Sequence, residues 1–78
     1  MTGALPVCSG EETVQALQRA GFELVSQRGS HVKVRHPTTR RTAIVPLQRE
    51  LAPGTLRSIL RQADMTAEDF RQVLRRRR

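Results

Sequence analysis

The segment RGSHVKVRHPTTRRTAIVP, residues 28–46, decides how the chain folds. Within it, SHVKVRH alternates basic and apolar side chains, and successive strand residues point to opposite faces. Val32 and Val34 therefore share one face of a strand, and His31, Lys33 and Arg35 share the other. RGS before it and HPTTRR after it carry turn chemistry, and RTAIVP is rich in β-formers, so the two strands should pair as a hairpin. Pro46 ends the later strand, because proline cannot continue a ladder.

Helical patterns flank this hairpin. In SGEETVQALQRAG, Ser9 and Glu12 stand in capping-box spacing, Val14 and Leu17 mark an apolar face, and Gly21 offers a left-handed close. FELVSQ follows as the first strand. LQRELAPG has no period and reads as a loop that Leu47 and Leu51 can anchor. In GTLRSILRQAD, Leu56, Ile59, Leu60 and Ala63 fall at i, i+3, i+4 and i+7, the stripe of an amphipathic helix. Arg57 and Arg61, four apart, lie together away from that stripe. MTAEDFRQVL restarts a helix at Thr66, with Asp69 as capping-box partner and Ala67, Phe70, Val73 and Leu74 as its apolar face. Asp64, Glu68 and Asp69 read as capping residues around that helix start, not as metal ligands.

The expected architecture is α+β, in the order α-β-β-β-α with an extra C-terminal helix. A three-stranded antiparallel sheet this short must lay its apolar face on helices. The opposite face stays open, and it carries His31, Lys33 and Arg35. At 78 residues the chain is expected to be one domain with a small core. Fourteen Lys and Arg against seven Asp and Glu give a net charge of +7, which favours a polyanionic partner, nucleic acid first. With two Phe and no Trp or Tyr, the aromatic platforms of single-strand binders are missing, so binding must lean on charge and hydrogen bonds. The lone Cys8 excludes an internal disulfide and, beside only His31 and His36, leaves too few ligands for a closed structural zinc site. No apolar run approaches membrane-spanning length and the N-terminus lacks the form of a signal peptide, so a cytoplasmic protein with neither metal nor cofactor is expected.

An imidazole on an open cationic face suits RNA cleavage. RNA carries its own nucleophile, the 2′-hydroxyl, so a metal is dispensable if one group takes that proton and cations meet the developing charge. Imidazole titrates near pH 6.5, which fits it for the proton. Lys33 and Arg35 stand where they could stabilise the charge. Arginine does not release a proton near neutrality, which leaves the general acid unassigned. From the residues alone His31 is either this base or an exposed polar residue on a solvated strand. Arg57 and Arg61 are either a phosphate-binding row or an ordinary wet helix face. His36 falls on the Val34 face and reads as structural, Cys8 as an inert thiol, and the Arg75–Arg78 run as a solvated tail.

At RAGFELVSQRGSHVKVRHP, and again at ELAPGTLRSILRQADM, the chain resembles the HicA, or YcfA-like, family of toxin–antitoxin mRNA interferases. The resemblance covers about residues 9–74, the tail lying beyond it. It is carried by Gly21-Phe22, by the triplet Gly29-Ser30-His31 and by the helix start Gly54 to Leu60, in that order. The chain departs from the family's more usual residues at Leu47-Gln48 and at Gln62 to Met65. The resemblance implies a fold like a double-stranded-RNA-binding domain, an endoribonuclease acting on mRNA, a HicB-type antitoxin as partner and no cofactor. It places the family's catalytic histidine at His31; beside it, the reading of the residues gives Lys33 and Arg35 to stabilise charge and Arg28, Arg57 and Arg61 to hold the phosphates of the RNA. The alternatives are a non-catalytic double-stranded-RNA-binding module, or a degenerate toxin that retains only antitoxin binding.

Overall fold

The computed structural model describes residues 5–75, and Arg76 to Arg78 of the basic tail fall outside the described residues. The elements are α1 (Gly10–Arg19), β1 (Glu23–Arg28), β2 (His31–Arg35), β3 (Thr42–Pro46), α2 (Pro53–Ala63) and α3 (Ala67–Arg75). The fold is α+β, a three-stranded antiparallel sheet of order β1-β2-β3 packed on helices. This is the α-β-β-β-α order with one added helix that the patterning predicts.

Local features set several of the helix ends. At α1 the Glu12 N–H donates to Ser9 Oγ at 2.9 Å, and the Ser9 N–H donates to Glu12 Oε1 at 2.9 Å. Both free donors of the capping box are thereby satisfied. The turn out of α1 needs Gly21, whose φ is +105°. At α3 the Asp69 N–H donates to Thr66 Oγ1 at 3.0 Å, as the Thr66–Asp69 spacing predicts. Asp64 is a correction: it closes α2 rather than opening α3. It takes a left-handed φ of +59°, which Asp tolerates, and lets the Met65 N–H reach Leu60 O at 2.9 Å.

The core is one cluster. Val32 and Val34 from β2, Ala43 and Val45 from β3, Leu17 from α1, Leu56, Ile59 and Leu60 from α2 and Phe70 from α3 are all buried. The alternation in β2 is as predicted: Val32 and Val34 face inward, and His31 and Arg35 are exposed. The loop anchor also holds, with Leu51 buried and Leu47 packed against the cluster. Fully burying a side chain such as Leu56 or Ile59 contributes about 1.5–3 kcal/mol before ordering entropy is charged.

The two sheet edges differ. Along β3, α2 closes the edge, because the Ile44 N–H donates outward to Gln62 Oε1 at 3.0 Å, and Gln62 Nε2 donates to Ser58 Oγ at 3.3 Å. Along β1 every residue is exposed. Phe22, read as the first strand residue, instead precedes the strand and is buried. The pairing passes from Leu24↔Val34 to Ser26↔Lys33, so Val25 is an extra residue and β1 is bulged. Among the described residues no helix is long and apolar enough to cross a membrane.

Candidate nucleic-acid interface

The register assembles the open face row by row. Arg28 and Pro46 flank His31, Ser26 and Ile44 flank Lys33, and Glu23 and Thr42 flank Arg35. Directly opposed side chains in such pairs lie about 5 Å apart at Cβ. Four basic or titratable side chains, Arg28, His31, Lys33 and Arg35, thus share one face with a single carboxylate, Glu23. No ion pair neutralises them among the described residues; the salt bridge present, Arg41–Asp64 at 3.8 Å, lies elsewhere. Arg35 is steadied by a contact from its Nε to Thr42 Oγ1 at 3.4 Å.

His31 is the first residue after the β1–β2 turn, and the two turn residues before it are each held by a hydrogen bond. The turn is Gly29-Ser30, with a positive φ of +58° at Gly29 alone. Positive φ confined to the first central position is the type II′ hairpin pattern, which glycine satisfies without strain. Nothing lies within 4 Å of where a Cβ on Gly29 would sit, so the requirement there is conformational, not spatial. Gln27 Nε2 donates to Gly29 O at 3.0 Å, and the Leu47 N–H donates to Ser30 O at 2.7 Å. The side chain is exposed and, among the described residues, engaged by no other group. Sequence reasoning missed Gln27 and the Leu47 amide as supports of this turn. The Gln27 spacing, two residues before Gly29, was a visible signal; the Leu47 contact was not.

The remaining candidates sort cleanly. Lys33 is half-buried on the open face between Ser26 and Ile44. Arg57 and Arg61 are exposed on α2. At 3.6 residues per turn they stand about 100° round from the Ser58–Gln62 row that meets β3, so they form a second basic row on a different element. His36 is structural, as read: its Nδ1 accepts from the Thr38 N–H at 3.1 Å and the Thr39 N–H at 3.3 Å, and its ring meets Phe22 edge-on at 5.2 Å. Cys8 is 5% exposed and lies 3.4 Å from Thr13 Oγ1. Burial pushes its thiol above the ordinary 9.0, and Glu12 adds to that against the opposing Thr13 hydrogen bond. It is a packed thiol, not a nucleophile. No three His, Cys, Asp or Glu side chains among the described residues are grouped as a metal ion would need.

A groove of about 680 Å³ lies between α1 and α3, lined in part by Arg19 and Leu74. It is not on the sheet face. An extended polyanion is met by an open charged surface rather than a deep hole, so the two need not coincide.

Fold and face together define a small basic α+β domain suited to a polyanion. Residues 10–65 match the family of the HicA toxin of bacterial toxin–antitoxin systems, and the chain belongs to that family. It is therefore the toxin of a toxin–antitoxin pair, with a cognate antitoxin as its partner. None of the curated proteins matches the chain.

Proposed function

We propose that the chain is a metal-independent endoribonuclease that cleaves mRNA, with His31 as its general base. The observation that carries this reading is the position of His31: exposed, unengaged and set between Arg28 and Pro46 on a cationic face. His31 would take the proton of a ribose 2′-hydroxyl as that oxygen attacks the adjacent phosphorus. The bond to the 5′-oxygen breaks, leaving a 2′,3′-cyclic phosphate on one fragment. The departing oxygen takes a proton from the imidazolium or from water. Lys33 and Arg35 meet the charge that builds on the phosphorus oxygens, and fixed cations on a folded strand need no rearrangement to do so. Arg28, one strand over, and the α2 row of Arg57 and Arg61 hold neighbouring phosphates. They set the path of the RNA without reading its bases. The partner that restrains this activity is a HicB-type antitoxin.

The test is His31→Ala. The side chain contributes nothing to the core, so the variant should fold and still bind RNA. Cleavage should fall by about 10²–10⁴ if the imidazole is the base. The wild type should cleave equally well with and without a chelator. Undiminished cleavage by His31→Ala would remove the assignment, and retained RNA binding with no cleavage by the wild type would make the chain a binding module.

A further inference from the structure

The β1 edge is the one sheet edge that no element of this fold closes among the described residues. The hydrogen-bond register shows which of its groups are free. Because the Ile44 N–H points away from β2 to Gln62, Lys33↔Ile44 is a non-bonded pair, and the Lys33 backbone must point to β1. Its partner Ser26 therefore points inward, and Gln27 next to it points outward. Past the bulge the same alternation turns Leu24 outward, since its partner Val34 bonds to β3. No backbone group elsewhere in the described residues engages either one. Beside these free groups stand Leu24, 50% exposed, and Val25, 44% exposed.

We propose that this edge is where the antitoxin docks, by adding one of its own strands beside β1. Main-chain hydrogen bonds to Gln27 and Leu24 would hold that strand, as in other cases of strand addition at an open edge. Two sides of the partner strand follow from the register. On the helix-facing side, where Leu24 opposes Val34, it carries apolar residues that cover Leu24. On the open side it carries Asp or Glu, because the neighbouring cation there is Arg28, about 5 Å away at ordinary strand spacing, with His31 about 10 Å away. An acidic strand is also what a chain of net charge +7 attracts. A second copy of the toxin is disfavoured by the same charge. The added strand would place a like charge beside the path of the RNA, so docking and exclusion of RNA share one surface.

The inference rests on family membership and the edge, not on the nuclease chemistry, so it is tested in the His31→Ala background. Hydrogen exchange is measured on the free toxin and on its complex with the cognate antitoxin. The Gln27 and Leu24 amides should exchange at least about tenfold more slowly in the complex. Gln27→Pro deletes an outward N–H while sparing the β2 ladder, and Gln27→Ala controls for loss of the side-chain bond to Gly29. Gln27→Pro should bind antitoxin roughly tenfold more weakly than Gln27→Ala. Unprotected edge amides in a formed complex, or equal binding by a folded Gln27→Pro, would overturn the proposal. So would concentration-dependent protection in the toxin alone, which would assign the edge to a second copy, or protection by RNA alone. Should Gln27→Pro fail to fold, the exchange comparison decides by itself. A wild-type toxin that cleaves RNA on its own, but whose complex with the antitoxin leaves the β1 edge unprotected, refutes the docking without touching the nuclease reading.

Discussion

Gly21→Ala should be among the most damaging single-methyl changes in this chain, and the loss can be divided into two parts. The first is conformational: φ is +105°, where an L side chain is strained, at about 1–2 kcal/mol. The second is a collision. The added Cβ would lie 2.8 Å from His36 Nε2. That ring cannot swing away freely, because its Nδ1 accepts from the Thr38 and Thr39 N–H groups and it packs edge-to-face with Phe22. Turning it forfeits up to two hydrogen bonds, each about 0.5–1.5 kcal/mol. Together the change should cost about 2–5 kcal/mol, a large share of what a domain of this size commonly has. At roughly 4–8 °C per kcal/mol, the midpoint of thermal unfolding should fall by about 10 °C or more. Urea titration of the wild type, Gly21→Ala, His36→Ala and the double variant measures the coupling. In the His36→Ala background only the conformational cost should remain. Equal costs in the two backgrounds would show that the His36 ring does not press on Gly21, and the reasoning would fail.

Two other expectations concern charge. In the His31→Ala background, the logarithm of RNA affinity should fall linearly with the logarithm of salt, and Lys33→Ala and Arg57→Ala should each flatten the slope by about 0.7 for a single strand. If neither moves the slope, the strand row and the helix row do not meet phosphates. The Cys8 thiol is raised in the fold above 9.0, chiefly by burial, so folding favours its neutral form. Its contribution is therefore intact below the unfolded thiol's pKa and is lost as pH rises from there through the folded value. Urea midpoints should decline above about pH 9, and Cys8→Ala should decline less; parallel alkaline profiles would show that another group governs the loss.

What lay open in the sequence was what neighbours along the chain decide. Ser9 and Glu12 are three residues apart, Val32 and Val34 two apart, and Gly29 lies within the turn it makes, so each could be read before any tertiary contact was known. That is why the α+β order, the buried face of β2 and the cationic row with His31 were legible. The same locality explains the misreadings. Asp64 reads as a capping residue around the helix start that follows, yet the chain uses its tolerance of positive φ to end α2. β1 looked like any apolar strand, and only the packing of α2 along β3 left β1 as the uncovered, bulged edge. Gln62 and Leu47 bear no mark of their roles, because their partners Ile44 and Ser30 are 18 and 17 residues away in the chain. The chemistry of each residue and the pairing of near neighbours are written in the sequence. Which edge stays open, and which backbone groups remain free on it, depends on how distant segments divide a limited set of hydrogen-bond partners, and only the assembled fold decides that.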